Sequence, residues 1–298
     1  MALIRDDAVI LDLLNSGDII LSRDVAKVMS AKTSQRRIRR IGLQKDGLQI
    51  RAAFRDKSVR IAEQGSRGPR YHDSYYNELA AYLVSRYLGL DIIPATVLRS
   101  IPISASGLKR SSELRQGTLQ LWVENAIVEF DLSAKKIPYP GNLEYRNEQF
   151  KEIFALDCVI GNVDRHAGNL LIDMNARFQH TAKAARAQQP YRGKVWAIDH
   201  SRAFHERPRL DESYCRKTRL GIRAVSLVFM QRMRVWDLDE IELILLSSGL
   251  SARQIQTLNL PAMDRRAAQL KEHFDAEQLK SGLTDEEFYS SGIWHQVR

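Results

Sequence analysis

The sequence predicts an α+β fold in two lobes, a smaller β-rich one followed by a larger, mostly helical one. Three observations carry this. Asp46-Gly47 is a turn signal between Gly42-Leu43-Gln44 and the run Leu48 to Phe54, which together form a hairpin. Beyond Trp236, helical spacing dominates: Leu238, Ile241 and Leu245 share a stripe, and Ser251/Gln254 and Thr284/Glu287 are capping-box pairs. Between these regions, the apolar segment Phe150 to Ile160 runs into a tight polar cluster, Asp164, His166 and Asn169. The lobes are placed at 1–125 and 126–298.

Length and composition allow this. The chain has 298 residues, 44% hydrophobic and 27% charged, enough for a substantial core. Its net charge of +9 favours polyanionic company, nucleotides and acidic proteins among them. Arg36-Arg37-Ile38-Arg39-Arg40 and Arg216-Lys217-Thr218-Arg219 are basic patches, but aromatics are not interleaved with them. No helix-turn-helix or zinc-finger spacing occurs, so solvated basic faces are preferred to nucleic-acid binding. Cys158 and Cys215 fit no metal or disulfide pattern and are expected to be reduced. The first residues are acidic where a signal peptide needs basic charge. No apolar run approaches the ~20 residues of a membrane span. A soluble, cytoplasmic protein is the default expectation.

In order, residues 8 to 16 form a helix ending at Ser16-Gly17. In the hairpin, strand alternation puts Arg51, Ala53, Arg55 and Lys57 on one face and Leu48, Ile50, Ala52 and Phe54 on the other. Gln64 to Asp73 is a polar, glycine-bearing loop. Tyr75 to Leu88 is a helix with Leu79, Tyr82, Leu83 and Tyr87 near one face, Glu78 off it and Gly89 as C-cap. Ile93 to Leu98 starts a strand, Ser100 to Gln116 is a loop, and Thr118 to Val123 is a second strand. Leu132 to Leu143 joins the lobes. A helix of about three turns ends by Ile160. Ala176 to Arg192 is a polar insert before a short strand, Val195 to Ile198, ending on Asp199. Pro261 suits the first turn of a later helix.

The chemistry concentrates at Asp164, Asn169 and Asp199. Phosphoryl transfer from ATP needs one carboxylate to orient the attacking group. It also needs an amide and a second carboxylate to hold metal on the phosphates. Asp164 would orient an acceptor hydroxyl and take its proton. Asn169 and Asp199 would bind Mg²⁺ or Mn²⁺, both oxygen-seeking ions. Arg165 and His166 brace the loop. Arg202 either reaches a phosphate or pairs with a surface acid.

Asp164-Arg165-His166-x-x-Asn169 followed by Ile198-Asp199-His200 resembles the catalytic loop and metal motif of atypical kinases. These include phosphoinositide kinases, HipA-type kinases and the secretory-pathway family of the Golgi casein kinase. Asp199-His200-Ser201-Arg202-Ala203-Phe204 is similar to the Asp-Asn-Gly-Arg-Gly-Phe element of that last family and its bacterial relatives. The resemblance runs from about Leu43 to Phe204. It implies a two-lobed protein-kinase-like fold, with ATP as donor and a hydroxyl acceptor, on a protein, as substrate. It places Glu78, within Asn77-Glu78-Leu79-Ala80-Ala81-Tyr82, as partner of the phosphate-binding base. Where the family has lysine this chain has Ala53-Phe54-Arg55, so either Arg55 or Lys57 holds the phosphates. The adenine hinge falls near Trp122, Val123 and Glu124, through backbone groups; Trp122 as core packing is the alternative. No G-x-G-x-x-G occurs.

Two readings follow. One is a metal-dependent ATP phosphotransferase. The other is a pseudokinase or nucleotide-binding regulatory module, for which the missing lysine and glycine loop argue. A variant of the first transfers AMP from a reversed nucleotide.

Overall fold

The computed structural model describes residues 7–24, 38–61, 71–104, 112–137, 143–174, 194–206 and 225–289. Most of the loop from Gln64, the insert from Ala176 to Arg192, Arg36-Arg37, Cys215 and the patch from Arg216 to Arg219 lie outside these residues.

The smaller lobe opens with helix α1 (Asp7–Ser16), whose Leu13 and Leu14 are buried against the sheet that follows. That antiparallel sheet has the order β1-β2-β3-β7-β6. Its strands are β1 (Asp18–Asp24), β2 (Arg39–Lys45), β3 (Leu48–Arg55), β6 (Thr96–Ser104) and β7 (Ser112–Leu121). Asp46 and Gly47 have φ values of 49° and 77°, as a two-residue turn matched to strand twist requires. In β3, Ile50, Ala52 and Phe54 are buried, and the alternate residues face the cleft. β3 ends at Arg55, so Lys57 falls outside the alternation that would have placed it beside Arg55. A small hairpin, β4 (Ser58–Ile61) with β5 (Tyr71–Ser74), leads into helix α2 (Tyr75–Tyr87).

The segment from Ser100 to Gln116 is not a single loop: β6 runs on to Ser104 and β7 begins at Ser112. Pro102 obscured this. Proline cannot donate to a ladder, but β6 is an edge strand, where a missing donor is tolerated.

Helix α2 buries nearly its whole circumference, Glu78 included, because it is packed between β6 and β7 and the larger lobe. It ends in a Schellman arrangement. The Leu90 N–H donates to the Ser85 carbonyl and the Gly89 N–H to that of Arg86, with Gly89 at φ 72°.

The larger lobe contains a three-stranded sheet ordered β10-β9-β8, from β8 (Ala126–Val128), β9 (Leu170–Asp173) and β10 (Lys194–Ala197). Helix α3 (Glu129–Ala134) follows β8. Helix α4 (Leu143–Ile160) has 18 residues, five turns rather than three, because its first half is polar and shows no apolar stripe. Helices α5 (Leu227–Arg234), α6 (Leu238–Ser247), α7 (Ala252–Gln256), α8 (Leu260–Ser281) and α9 (Asp285–Tyr289) complete the lobe. The Ser251/Gln254 capping box forms as its spacing predicts, and Thr284 and Glu287 exchange the corresponding bonds before α9. Pro261 sits in the first turn of α8.

Cys158, buried in α4, is disulfide-bonded, not the reduced thiol expected from the sequence. Cysteine spacing alone carries no information on pairing between distant segments; disulfides persist in oxidising compartments. No helix among the described residues is long and apolar enough to cross a membrane.

Candidate active site

A cavity of about 270 Å³ lies between the lobes. Ala53 and Arg55 of β3 border it on one side, Trp122 and Val123 at the end of β7, and Leu171, Ile198 and Asp199 opposite. Its walls are largely apolar, and charge gathers at one end, where Arg55, Glu78 and Asp199 meet. Apolar walls with convergent polar groups suit a planar base joined to an anion.

Arg55 is the hub of that end. One Nη1 lies 2.9 Å from Glu78 Oε1 and 2.7 Å from Asp199 Oδ1. Burial opposes its charge, but Asp199 and Glu78 outweigh burial and hold its pKa above the ordinary value. Glu78 is itself tied down: its Oε2 accepts the His200 N–H at 2.9 Å. Lys57 stands apart, with Nζ 3.9 Å from Asp73 Oδ2, and does not line the cavity. Between Arg55 and Lys57, the structure brings Arg55 to Glu78.

At the opposite end, Trp122 carries the Arg40 guanidinium 4.1 Å from its ring centre, and its N–H donates to the Arg51 carbonyl at 2.9 Å. The Trp122 amide is therefore committed to the sheet. Glu124 is ion-paired with Arg51, a carboxylate beside the cavity mouth rather than in its lining. Gln120, also in the lining, donates to Thr96 Oγ1 at 3.0 Å.

The catalytic-loop candidates follow α4. Gly161, at φ 61°, turns the chain out of the helix. Arg165 folds back under the loop: its Nε lies 2.8 Å from Asp157 Oδ2, and its Nη1 donates to the carbonyls of Asn169 and Ile198 at 2.7 and 2.8 Å. The side chains of Arg165 and Asp157 are 1% and 0% exposed. One buried guanidinium thus joins the helix, the loop carrying Asp164 and the segment after β10 that carries Asp199. Asn162 Nδ2 donates to Asp157 Oδ1 at 2.8 Å. His166 Nδ1 accepts the Gly168 N–H at 3.0 Å, a capping role consistent with bracing.

Asn169 Nδ2 donates to the Asp164 carbonyl at 2.8 Å, which leaves its amide oxygen for an electrophile. The Ile198 N–H donates to the Asn169 carbonyl at 3.0 Å, setting Asn169 beside Asp199. Asp199 has φ 58°, a left-handed conformation that aspartate tolerates better than most residues. Among the described residues no cluster of three or more His, Cys, Asp or Glu gathers as a metal cage. An amide oxygen and one carboxylate nevertheless fit Mg²⁺ or Mn²⁺, which take their remaining ligands from phosphates and water.

Three contributors escaped the sequence reading. Asp157 was detectable in principle, as a lone charge within an apolar helix run that calls for a buried partner. Asp73, 4% exposed, faces both Lys57 and Arg202. Arg266, from α8, donates to the carbonyls of Val159 and His205, each at 3.0 Å, supporting both ends of the site from behind; burial lowers its pKa to about 10. No sequence signal links Asp73 or Arg266 to the site, because their partners are backbone atoms or distant charges.

A β-rich lobe and a helical lobe, with these charges at the cleft between them, define a two-lobed kinase-like fold. No protein-family model and no curated protein matches the chain. Among solved structures, hydra Fam20, determined with sugar, matches with a TM-score of 0.60 at 16% identity, over 91% of this chain and 88% of that one. The proinflammatory kinase CtkA of Helicobacter pylori aligns with a TM-score of 0.44 at 12% identity, over 90% of this chain and 98% of that one.

Proposed function

We propose that the protein is an ATP- and divalent-metal-dependent phosphotransferase acting on a hydroxyl group. The observation that carries this is the meeting of Arg55, Glu78 and Asp199 at one end of an apolar cleft, with Asn169 held beside Asp199. Arg55 would hold the inner phosphates of ATP, with Glu78 orienting it. Asn169 and Asp199 would hold Mg²⁺ or Mn²⁺, which neutralises charge on the phosphates when bound. Trp122 and Val123 border the space for the base.

The acceptor oxygen attacks the γ-phosphorus and its proton passes to Asp164. The bond from that phosphorus to the β–γ bridging oxygen breaks, and ADP leaves. The protein's contribution is position and fixed charge. A protein hydroxyl is the acceptor we favour; the sugar seen with hydra Fam20 makes a sugar hydroxyl the alternative. The Cys158 disulfide supports an oxidising compartment over the cytoplasm as its working place.

The test is transfer from γ-labelled ATP with Mg²⁺ or Mn²⁺ to the protein itself and to an acidic generic protein. Metal-dependent transfer that Asp164→Asn abolishes is the expected result. Label appearing only from α-labelled ATP would mean AMP transfer. The pseudokinase reading has one observation of its own: Arg55 sits directly on Asp199, the carboxylate a metal would use. No transfer, with ATP still raising the melting temperature, would favour it.

A further inference from the structure

Arg202 has no role in the reaction as set out above, yet it sits on the residue that takes the proton. Its Nη1 lies 3.1 Å from Asp164 Oδ2, and its Nε lies 3.7 Å from Asp73 Oδ2. Its side chain is 26% exposed, while its Nε is buried against Asp73. Asp73 is 4% exposed and also faces Lys57 Nζ at 3.9 Å, fixing the near end of the arginine. The segment carrying Arg202 is itself anchored. The Ser201 carbonyl accepts the Ser74 N–H at 2.9 Å and Asn77 Nδ2 at 2.8 Å, and the Ala203 N–H donates to the His200 carbonyl at 2.9 Å. An anchored backbone, Asp73 at Nε and Asp164 at Nη1 hold the guanidinium between two carboxylates, one of them the candidate base.

We propose that Arg202 is the residue that grips the transferred γ-phosphoryl group. This rests on the phosphotransferase reading. The acceptor hydroxyl must approach Asp164, so the γ-phosphate lies next to the same carboxylate in the ternary complex. A guanidinium already there is within a side-chain rotation of three phosphate oxygens. Its planar fork pairs with phosphate in two parallel bonds, and phosphate carries more charge than one carboxylate. When ATP arrives, Arg202 exchanges Asp164 for the γ-phosphate while Asp73 keeps hold of its stem. The exchange does two things together. It stabilises charge on the transferring group, as an arginine supplied from another chain does elsewhere. It also frees Asp164 to accept the hydroxyl proton. ADP, lacking the γ-phosphate, leaves the Arg202–Asp164 pair intact.

The experiment is calorimetric titration of the full chain with ATP and with ADP, each with Mg²⁺, which needs no turnover. Wild type is expected to bind ATP more tightly than ADP. Arg202→Met should weaken ATP about ten- to hundredfold, the range of a charge-assisted bond, and leave ADP unchanged. Arg202→Lys should fall between, keeping charge but losing the fork. Arg55→Met should weaken both nucleotides alike, separating the inner phosphates from the outer one. An ATP-over-ADP preference that survives in Arg202→Met overturns the proposal and leaves the phosphotransferase reading standing. Equal affinity for the two nucleotides in wild type overturns it too. Failure of wild type to bind either nucleotide sinks both.

Discussion

Arg55 and Asp199 are 144 positions apart in sequence, yet Nη1 and Oδ1 lie 2.7 Å apart, with Glu78 on the same guanidinium. An arginine here bridges two carboxylates that a lysine ammonium, a compact point charge, would meet differently. Arg55→Met leaves those carboxylates facing each other in a partly closed site. It should cost about 3 kcal/mol of stability, the scale for breaking a desolvated pair. Arg55→Lys should recover most of that. Urea titration of the three proteins checks this, and equal midpoints would show that the bridge contributes nothing.

Gly117 controls where Arg55 stands. It lies on β7 beside β3, and a Cβ there would come within 2.1 Å of the Arg55 carbonyl oxygen and 2.7 Å of the Phe54 ring. A backbone oxygen cannot rotate away, so Gly117→Ala must push the strands apart. The expected outcome is a nucleotide affinity lowered at least tenfold in a protein that still folds. Unchanged affinity would mean that β3 shifts without carrying the Arg55 side chain.

The Arg165–Asp157 pair is the most buried charge pair beneath the catalytic loop among those described. Arg165→Met strands Asp157 without its cation and should lower stability by about 3–5 kcal/mol. Asp157→Asn keeps an acceptor for Arg165 and should cost less. Thermal unfolding of both variants gives the order, and the reverse order would contradict the burial argument.

Tyr289 provides a pH signature. Burial, with Asp275 adding to it, pushes its phenol up to about 12 from an ordinary 10. The folded protein therefore keeps the proton where the unfolded chain has lost it. This contribution is complete below pH 10 and is lost as pH rises through about 12. Wild type should lose more stability than Tyr289→Phe across that window. Parallel stability curves for the two would refute it.

Local signals made much of the fold legible. The Asp46-Gly47 turn, Gly89, and the capping pairs at Ser251 and Thr284 each act within a few residues, so the sequence displays them. The spacing of Asp164 and Asn169 and the Ile198-Asp199 end of a short strand made the candidate site visible in the same way. What stayed hidden depends on distant packing. The polar first turns of α4 carried no apolar stripe, and Pro102 masked an edge strand. Strand alternation puts Lys57 on the same face as Arg55, but β3 ends between them. The partners of Arg202 come from β5 and the loop after α4, and no linear spacing encodes that meeting.

Helix α2 and its N-cap make four hydrogen bonds to residues 200–203: from the Ser74 N–H, two from Asn77 Nδ2, and one accepted by Glu78. At about 1 kcal/mol each, swinging this helix outward would cost several kcal/mol before any apolar contact is lost. The helix that orients Arg55 is thus tied to the larger lobe by hydrogen bonds as well as packed on the sheet. Displacing this helix to part Glu78 from Arg55 would therefore also break the bonds that anchor the segment carrying Arg202.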